Sequence, residues 1–427
     1  MLLATLVLTH SALAISLEDA WSAADHSSIE GKLVDEQLNV AKTVPGAAWS
    51  LVSPKLVLKG NWTRNNEELT FDTSAFIPEQ FASLFPESEP MVIQKLSYFD
   101  ANASVIQPLF SGQALPLLKA AYSEVDAATE DARASRGAIR AGVARAYWGV
   151  LLAREGEAIA QGALESAEKH RVLVDKSADV GLAAPTARLR AQIAESRAAR
   201  ELAGAAEGRT VAETAFAQLT RLSPDTPVEL PAPRPLRWGS ADDALSEAKE
   251  KRPSIRSARG HERSASLQST AKALSWLPEV NGRFTYVWTE NVSAFNDRDS
   301  FWMVAIEGQW VLWDGGYRLS QQAQSAAQKR MASLAEQRAV LEAETEIRSL
   351  WAKHEKATTA LAAVSDELKL AKENLRLAEV AWEAGSIIQL EFEDARLGEA
   401  AARFGVMQER MNLDLAAVDL LVAVGEL

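Results

Sequence analysis

Two long stretches that are almost free of proline restrict the folds available to this chain. The first runs from Gly112 to Asp179 and contains only Pro116, near its start; the second runs from Gly315 to Ala384 and contains none. At 1.5 Å per residue, an unbroken helix of about 67 residues is about 100 Å long. Helices of that length are typical of coiled coils and helical barrels rather than of compact domains.

The second stretch also has the packing pattern of a coiled coil. A stripe of mainly apolar and small residues recurs at alternating spacings of four and three: Leu350, His354, Ala357, Leu361, Val364, Leu368, Ala371, Leu375, Ala378 and Trp382. A repeat of this kind imposes left-handed supercoiling on the helices that share it. The frequent alanines let helices approach closely, which favours a larger assembly than a leucine-only dimer. On the heptads alone, an ordinary coiled coil without a tunnel is an open alternative.

The two halves of the chain contain matching residues in the same order. The number of positions between the members of each matched pair is nearly constant. The matched pairs are Leu17 with Ala241 and Pro54 with Pro278, each 224 positions apart, then Gly112 with Gly315 at 203 and Gly181 with Gly385 at 204. The separation of matched residues falls by about 20 positions between the second pair and the third. This fall predicts one insertion, roughly residues 65–95, in the loop of the first β-hairpin. Each half then holds a short helix (about 17–27 or 241–251), a β-hairpin and a long helical hairpin.

A proline-rich segment separates the two halves. Residues 223–235 contain five prolines, which suits neither a helix nor a central strand. The segment therefore reads as an extended linker. We predict a signal peptide over residues 1–14, a first repeat over 15–222, a linker over 223–238 and a second repeat over 239–427.

The signal-peptide prediction rests on a short apolar run that ends in Ala12-Leu13-Ala14. Small residues at both ends of such a triplet are the pattern of a cleavage site for secretion. The basic residue usual at the start of a signal peptide is missing, because no Lys or Arg occurs before His10. A buried N-terminal helix is the alternative.

Composition argues against several classes of function. The chain has no cysteine, which removes disulfides, thiolate metal sites and cysteine nucleophiles. Its five histidines show no metal-ligand spacing. The formal net charge of −13 argues against nucleic-acid binding, which needs clustered Lys and Arg. No Ser/His/Asp set or phosphate-binding loop stands out, so we predict no enzyme activity, no metal site and no cofactor.

Two pairs of segments alternate apolar and polar residues with period two, as strands do. Residues 280–289 and 301–313 show the pattern clearly, and 56–62 and 99–105 show it more weakly. Ten residues suffice for a strand to cross a bilayer, and no later segment has the 18 uninterrupted apolar residues of a transmembrane helix. Tryptophans gather near the strand ends, as interfacial aromatic residues do. The side chains predicted to face lipid are Phe284, Tyr286, Trp288, Trp302, Val304, Ile306 and Trp310.

The strand count has a consequence for assembly. A soluble sheet with one buried face is the alternative to membrane strands. If the strands do cross a bilayer, four of them cannot close a barrel, because single-chain outer-membrane barrels begin at eight. An open sheet edge in lipid leaves backbone groups without hydrogen-bond partners. Other copies of the chain would then have to supply the remaining strands.

Taken together, these features resemble the TolC-like outer-membrane efflux protein family over nearly the whole mature chain. The resemblance rests on Leu17-Glu-Asp-Ala20, Leu109-Phe-Ser-Gly112, Ala146-Tyr-Trp148, Val180-Gly-Leu182, Trp276-Leu-Pro278, Leu312-Trp-Asp-Gly315 and Ala423-Val-Gly-Glu-Leu427. It implies a fold that is mainly α with membrane β: each chain gives four barrel strands and long coiled-coil helices in two structural repeats. Three chains would then form a 12-stranded β-barrel and an α-helical periplasmic barrel.

The resemblance implies a passive exit channel for efflux or type I secretion, in the outer membrane and extending into the periplasm. The implied partners are two further copies of the chain, a periplasmic adaptor (membrane fusion protein), an inner-membrane transporter and outer-membrane lipid, with no nucleic acid. A periplasmic adaptor, or a structural coiled-coil protein without a pore, is the alternative. The sequence does not distinguish drugs, metal ions and polypeptides as cargo.

The resemblance also assigns functional residues to the helix turns. The adaptor-contacting tips would be Val180, Gly181 and Leu182 in the first half and Gly385, Ser386 and Ile387 in the second. Glu391 and Asp394 match the acidic tunnel constriction, although acids are favoured at any helix start. The positions of the family's Arg–Asp lock hold Ile387 and Ala187 here, so closure must differ. Packing of Leu182 against Ile387 is our hypothesis for a substitute.

Overall fold

A computed structural model describes residues 14–72, 90–180, 184–292 and 298–427 of the chain. Within these ranges the elements are α1 (Leu17–Ser27), α2 (Ile29–Trp49), β1 (Lys55–Arg64), β2 (Leu69–Phe71), β3 (Met91–Gln94), β4 (Ser97–Phe110), α3 (Ala114–Asp179), α4 (Pro185–Thr220), α5 (Ala241–Lys251), α6 (Pro253–Leu274), β5 (Glu279–Thr289), β6 (Ser300–Gln309), α7 (Tyr317–Glu383) and α8 (Gln389–Val424). The predicted signal peptide, apart from Ala14, lies outside the described residues. So do Gly181 and Leu182.

The long helices match their prediction. Helices α3 and α7 have 66 and 67 residues, and their hairpin partners α4 and α8 have 36 each. The short helices α1 and α5 have the predicted bounds, and corresponding elements follow in the same order in both halves. No helix in the described part of the chain is both long enough and apolar enough to cross a bilayer.

Helices α2 and α6 directly follow the two predicted short helices and were not themselves predicted. Ser28 does end α1, but its hydroxyl accepts a hydrogen bond from the amide of Gly31 at 2.9 Å and so caps the start of α2. Pro253 is the first residue of α6. Proline is tolerated there because the first-turn amides have no partner within the helix. In each half, a single residue separates the first short helix from the helix that follows it.

The chain divides into two compact units. The first comprises the residues up to Asn39, Ala127–Arg259 and Ala335–Leu427. Its core includes Tyr147 of α3, which meets Phe216 of α4 edge-on with 5.8 Å between ring centroids. The Tyr147 hydroxyl donates to the carbonyls of Ile15, at 2.8 Å, and Glu229, at 2.6 Å. These two hydrogen bonds attach both the start of the chain, at Ile15, and the proline-rich segment, at Glu229, to α3.

The C-terminal end of α8 is closed by a glycine that no other residue can replace easily. Gly425 has φ +94, and its amide and that of Glu426 bond carbonyls in the last turn of the helix, as in a Schellman cap. A Cβ atom at this position would lie 2.7 Å from the Lys251 carbonyl oxygen and 2.8 Å from Cδ of Pro253. Close approach and positive φ both require glycine here.

We therefore expect Gly425→Ala to lower the free energy of unfolding by about 2 kcal/mol or more, from backbone strain alone. The matched control is Gly398→Ala in the interior of the same helix, where a Cβ would meet nothing within 4 Å. That change should raise stability by roughly 0.5–1 kcal/mol. Urea unfolding followed by circular dichroism measures both. Equal effects of the two substitutions on stability would contradict the conclusion that the backbone conformation at Gly425 requires glycine.

The second unit comprises Val40–Asp126 and Gly260–Leu334 and contains a four-stranded antiparallel sheet in the order β1-β4-β5-β6. Strand β6 is shorter than predicted and ends at Gln309. Its partner β5 begins at Glu279, opposite Gln309 and directly after Pro278, so no paired residue is left for the chain beyond Gln309. A separate pair, β2 and β3, lies within the predicted insertion and was not expected.

Candidate functional site

One face of the sheet carries the side chains predicted to face lipid. In the register of β5 and β6, Phe284 is opposite Val304 and Tyr286 is opposite Trp302. The exposed fractions of Trp302, Val304 and Ile306 are 66%, 67% and 75%. A soluble sheet of this size would bury such a face in its own core, whereas here the apolar side chains remain exposed in the single chain.

Aromatic residues lie at both ends of this apolar face. Trp302 is near the start of β6, and Trp310 follows its last residue. Eight residues at 3.3 Å each separate them by about 26 Å along the chain, of the same order as the apolar band of a membrane barrel. The Trp310 indole donates to the Trp276 carbonyl at 3.0 Å. Trp288, by contrast, is partly buried, with its ring 6.1 Å from that of Phe99.

The opposite face of the sheet carries the charged side chains, although Phe301 and Met303 also lie on it. The hydroxyls of Ser104 and Thr285 share a hydrogen bond of 3.0 Å between β4 and β5. Arg283 of β5 donates two hydrogen bonds to Glu307 of β6, at 2.8 and 3.0 Å. The charged side chains of β5 and β6 therefore lie on the face opposite Trp302, Val304 and Ile306.

At the first helix turn, Val180 follows α3 and is exposed. Gly181 and Leu182 lie outside the described residues, and with them the hypothesised contact between Leu182 and Ile387. Ion pairs join α3 to α4 near this turn. Arg188 of α4 pairs with Asp175 at 3.0 Å and with Asp179.

At the second turn, Gly385 has φ +68, the left-handed conformation expected of a residue just past a long helix. Its amide bonds the Trp382 carbonyl at 2.9 Å, and the Ser386 amide bonds that of Ala381 at 2.8 Å. Ser386 is exposed and Ile387 is half-buried. A Schellman cap thus fixes the direction in which the chain leaves α7.

The two acidic residues predicted for the constriction, Glu391 and Asp394, lie at the start of α8. Both are exposed, and their spacing of three residues puts them on one face of the helix. The helix N-terminus also favours carboxylates, so their position alone does not assign a role. Among the described residues, no group of three or more His, Asp and Glu side chains is arranged to hold a metal ion.

Long helical hairpins and a four-stranded sheet with an exposed apolar face define the class of outer-membrane channel-tunnel proteins. The sequence model of the family described as "Outer membrane efflux protein" matches residues 47–220 and 244–426, so the chain belongs to that family. The predicted resemblance is therefore confirmed. Like other members, the protein resides in the outer membrane and extends into the periplasm.

Solved structures with this fold cover nearly the whole chain. The outer membrane protein VceC from Vibrio cholerae is 18% identical with a TM-score of 0.72, covering 96% of each chain. The Campylobacter jejuni CmeC outer membrane channel is 15% identical with a TM-score of 0.78, covering 96% of this chain and 85% of its own. The open state of the Neisseria gonorrhoeae MtrE outer membrane channel is 19% identical, with a TM-score of 0.74 and coverages of 96% and 88%. A comparison with curated proteins found no significant match.

Proposed function

We propose that three copies of this chain form an outer-membrane channel-tunnel, through which substrates delivered by an inner-membrane transporter and a periplasmic adaptor leave the cell passively. The observation that carries the proposal is the exposed apolar face of an open four-stranded sheet. A periplasmic adaptor or a structural coiled coil has no use for such a face. Two relatives of the same fold, CmeC and MtrE, are described as outer membrane channels.

The edges of the sheet support assembly from several copies. Strands β1 and β6 are the outer strands, and within the described residues each has one edge unpaired. In lipid, unpaired backbone groups cost several kcal/mol each. Pairing β6 of one copy with β1 of the next removes both edges. Two copies would reach the eight-strand minimum; the family resemblance favours three, with twelve strands.

The helix turns are the proposed contact with the adaptor. They comprise Val180, Gly181 and Leu182 after α3, and Gly385, Ser386 and Ile387 after α7. In the described part, Val180, Gly385 and Ser386 are exposed, as a docking surface requires.

Glu391 and Asp394 are the proposed constriction. In a trimer each would occur three times, and a ring of carboxylates favours cations. We expect the double variant Glu391→Gln, Asp394→Asn to lose most of the cation preference of the pore. The measurement is the reversal potential of purified trimers in a planar bilayer under a potassium chloride gradient.

The control for this experiment is the double variant Asp366→Asn, Glu367→Gln, which removes the same charge from an exposed part of α7. It should leave the reversal potential at the wild-type value. An unchanged reversal potential in the Glu391 and Asp394 variant would mean that these are ordinary acids at a helix start. Failure of the wild-type protein to form trimers that conduct would overturn the proposed function itself.

A further inference from the structure

Helices α3 and α4 are joined along their length by ion pairs. The pairs are Arg154 with Glu213 at 2.8 Å, Arg209 with Glu157 at 2.8 Å, Arg171 with Glu195 at 2.6 Å and Arg188 with Asp175 at 3.0 Å. As the residue number rises on one helix it falls on the other, which is the arrangement of an antiparallel hairpin. The first hairpin is therefore held together as one body by its own side chains.

The second hairpin lacks such pairs. Across the described residues of α7 and α8, every ion pair made by α7 is internal or goes to α5, α6, Arg252 or Asp314, and none reaches α8. Near the turn, the contact between the two helices is the stack of Trp382 on Phe392, with 6.0 Å between centroids. Polar contacts therefore do not hold α8 to its own hairpin partner.

Helix α8 is instead attached to α3 of the first hairpin. The contacts are Arg145 with Asp419 at 2.7 Å, Trp148 with Asp414 at 2.7 Å, Glu155 with Arg403 at 2.6 Å, the Gly162 carbonyl with Arg396 at 2.7 Å and Ser166 with Glu393 at 2.9 Å. They form an antiparallel series. Glu393 and Arg396 are the last contacts of the series before the second turn.

Glu393 and Arg396 make a connected set of hydrogen bonds. Glu393 Oε1 accepts from Ser166 Oγ at 2.9 Å and from Gln389 Nε2 at 2.9 Å, and its Oε2 accepts from Arg396 Nε at 3.2 Å. The side chains of Glu393 and Arg396 are only 26% and 22% exposed. Charge-assisted hydrogen bonds in such surroundings are stronger than those between neutral groups, so this set can hold a helix end in place.

The acidic residues of the proposed constriction lie on the other side of the same helix turns. At about 100° per residue, the midpoint of Glu391 and Asp394 is about 160° around the axis from the midpoint of Glu393 and Arg396. Attachment of one face to α3 therefore points the other face away from α3. Any tilt or rotation of α8 off α3 must move both carboxylates.

We propose that Glu393 and Arg396 are positioning residues that hold the start of α8 against α3 and thereby set the width of the constriction at Glu391 and Asp394. This inference rests on the proposed channel function. Loss of these contacts releases α8 at its N-terminal end, because no ion pair to α7 takes their place. The constriction then widens while the first hairpin stays intact.

The test is the single-channel conductance of purified trimers in planar bilayers. The double variant Glu393→Ala, Arg396→Ala should show a several-fold higher conductance than the wild type. The control is Glu373→Ala, Arg376→Ala, which removes an exposed pair of the same residue types, at 2.6 Å, within α7. It should conduct as the wild type does. Circular dichroism and native mass measurement confirm that each variant is a helical trimer.

A second variant tests whether a higher conductance comes from separation of α8 from α3 or only from local damage at the substituted residues. The chain has no cysteine, so Ser166→Cys with Glu393→Cys introduces a unique pair of thiols between α3 and α8. Before treatment its conductance should be high, and after cross-linking with a short bismaleimide it should return towards the wild-type value. Recovery on cross-linking requires that the separation of the two helices controls the pore.

Two further results would overturn the inference in different ways. If wild-type trimers conduct and neither the alanine nor the cysteine variant changes the conductance, the positioning role is wrong and the channel function stands. If wild-type trimers do not conduct, the proposed function fails and the positioning role fails with it.

Discussion

Replacement of Asp414 by alanine is expected to lower the free energy of unfolding by about 3 kcal/mol, because the buried Trp148 indole loses its acceptor and Arg234 keeps only its pair with the exposed Glu18. Asp414 lies on α8 and is only 5% exposed. Its carboxylate accepts from the Trp148 indole at 2.7 Å and from Arg234 Nε at 3.0 Å. Arg234 also pairs with Glu18 at 2.7 Å and stacks on Trp21, so the substitution disturbs α1, α3, α8 and the proline-rich segment together.

Asp419→Ala is the matched control on the same helix. Asp419 pairs with Arg145, whose side chain is 54% exposed, and exposed ion pairs contribute at most about 1 kcal/mol. Unfolding in urea, followed by circular dichroism, compares the two variants. Similar losses of stability would show that the buried cluster has no special importance.

The pH dependence of stability gives a separate readout for Asp414. Burial raises the pKa of this carboxyl above its ordinary value of 3.8, against the opposing effects of Trp148 and Arg234. Because the pKa is higher in the folded chain, the part of the stability that is linked to protonation of Asp414 is fully present below pH 3.8 and is lost as the pH rises through the folded-state pKa. Asp414→Asn should lack this dependence. Asp414→Asn should also lower the free energy of unfolding by less than Asp414→Ala does, because the asparagine amide oxygen still accepts a hydrogen bond from Trp148.

Val304→Arg is expected to destabilise the proposed assembly by about 2–4 kcal/mol per chain, which is the cost of an arginine that faces lipid at the middle of a bilayer. Val304 is 67% exposed and lies opposite Phe284 in the middle of the paired strands β5 and β6. In the proposed trimer, the losses from the three copies add. We expect Val304→Arg to reduce sharply the amount of trimer recovered from the outer membrane.

The neighbouring residue provides the control. Ala305 lies on the polar face, opposite Arg283, so Ala305→Arg places the same side chain in the proposed lumen. That variant should assemble to nearly the wild-type level and alter only conduction. If Ala305→Arg were the more damaging of the two, the assignment of the faces would be reversed.

Features of the fold that depend on long periodic patterns could be predicted from the sequence. Two nearly proline-free stretches predicted α3 and α7, and the alternation of apolar and polar residues over ten positions predicted β5. The ends of elements were harder. The end of β6 depends on where its partner β5 begins, and the start of α2 depends on the Ser28 hydroxyl.

The contacts that position the candidate site could not be predicted, because no local pattern marks them. Trp148 and Asp414 are 266 positions apart, and Ser166 and Glu393 are 227 apart. On a helix of charged and small residues, nothing distinguishes Glu393, which bonds α3, from Glu391, which faces away. The distinction depends on which helix lies alongside α8, and that is a property of the whole fold.

The two unpaired edges of the sheet have a genetic consequence. A chain that is defective at β6 still presents an intact β1, so in a mixed population it can pair with normal chains. Under the proposed assembly, each ring that takes up one such chain cannot close. With half of the chains defective, only about one ring in eight would contain normal chains alone if all three join at random. Alleles that damage one edge should therefore be dominant over the normal gene, whereas alleles that prevent folding altogether should be recessive.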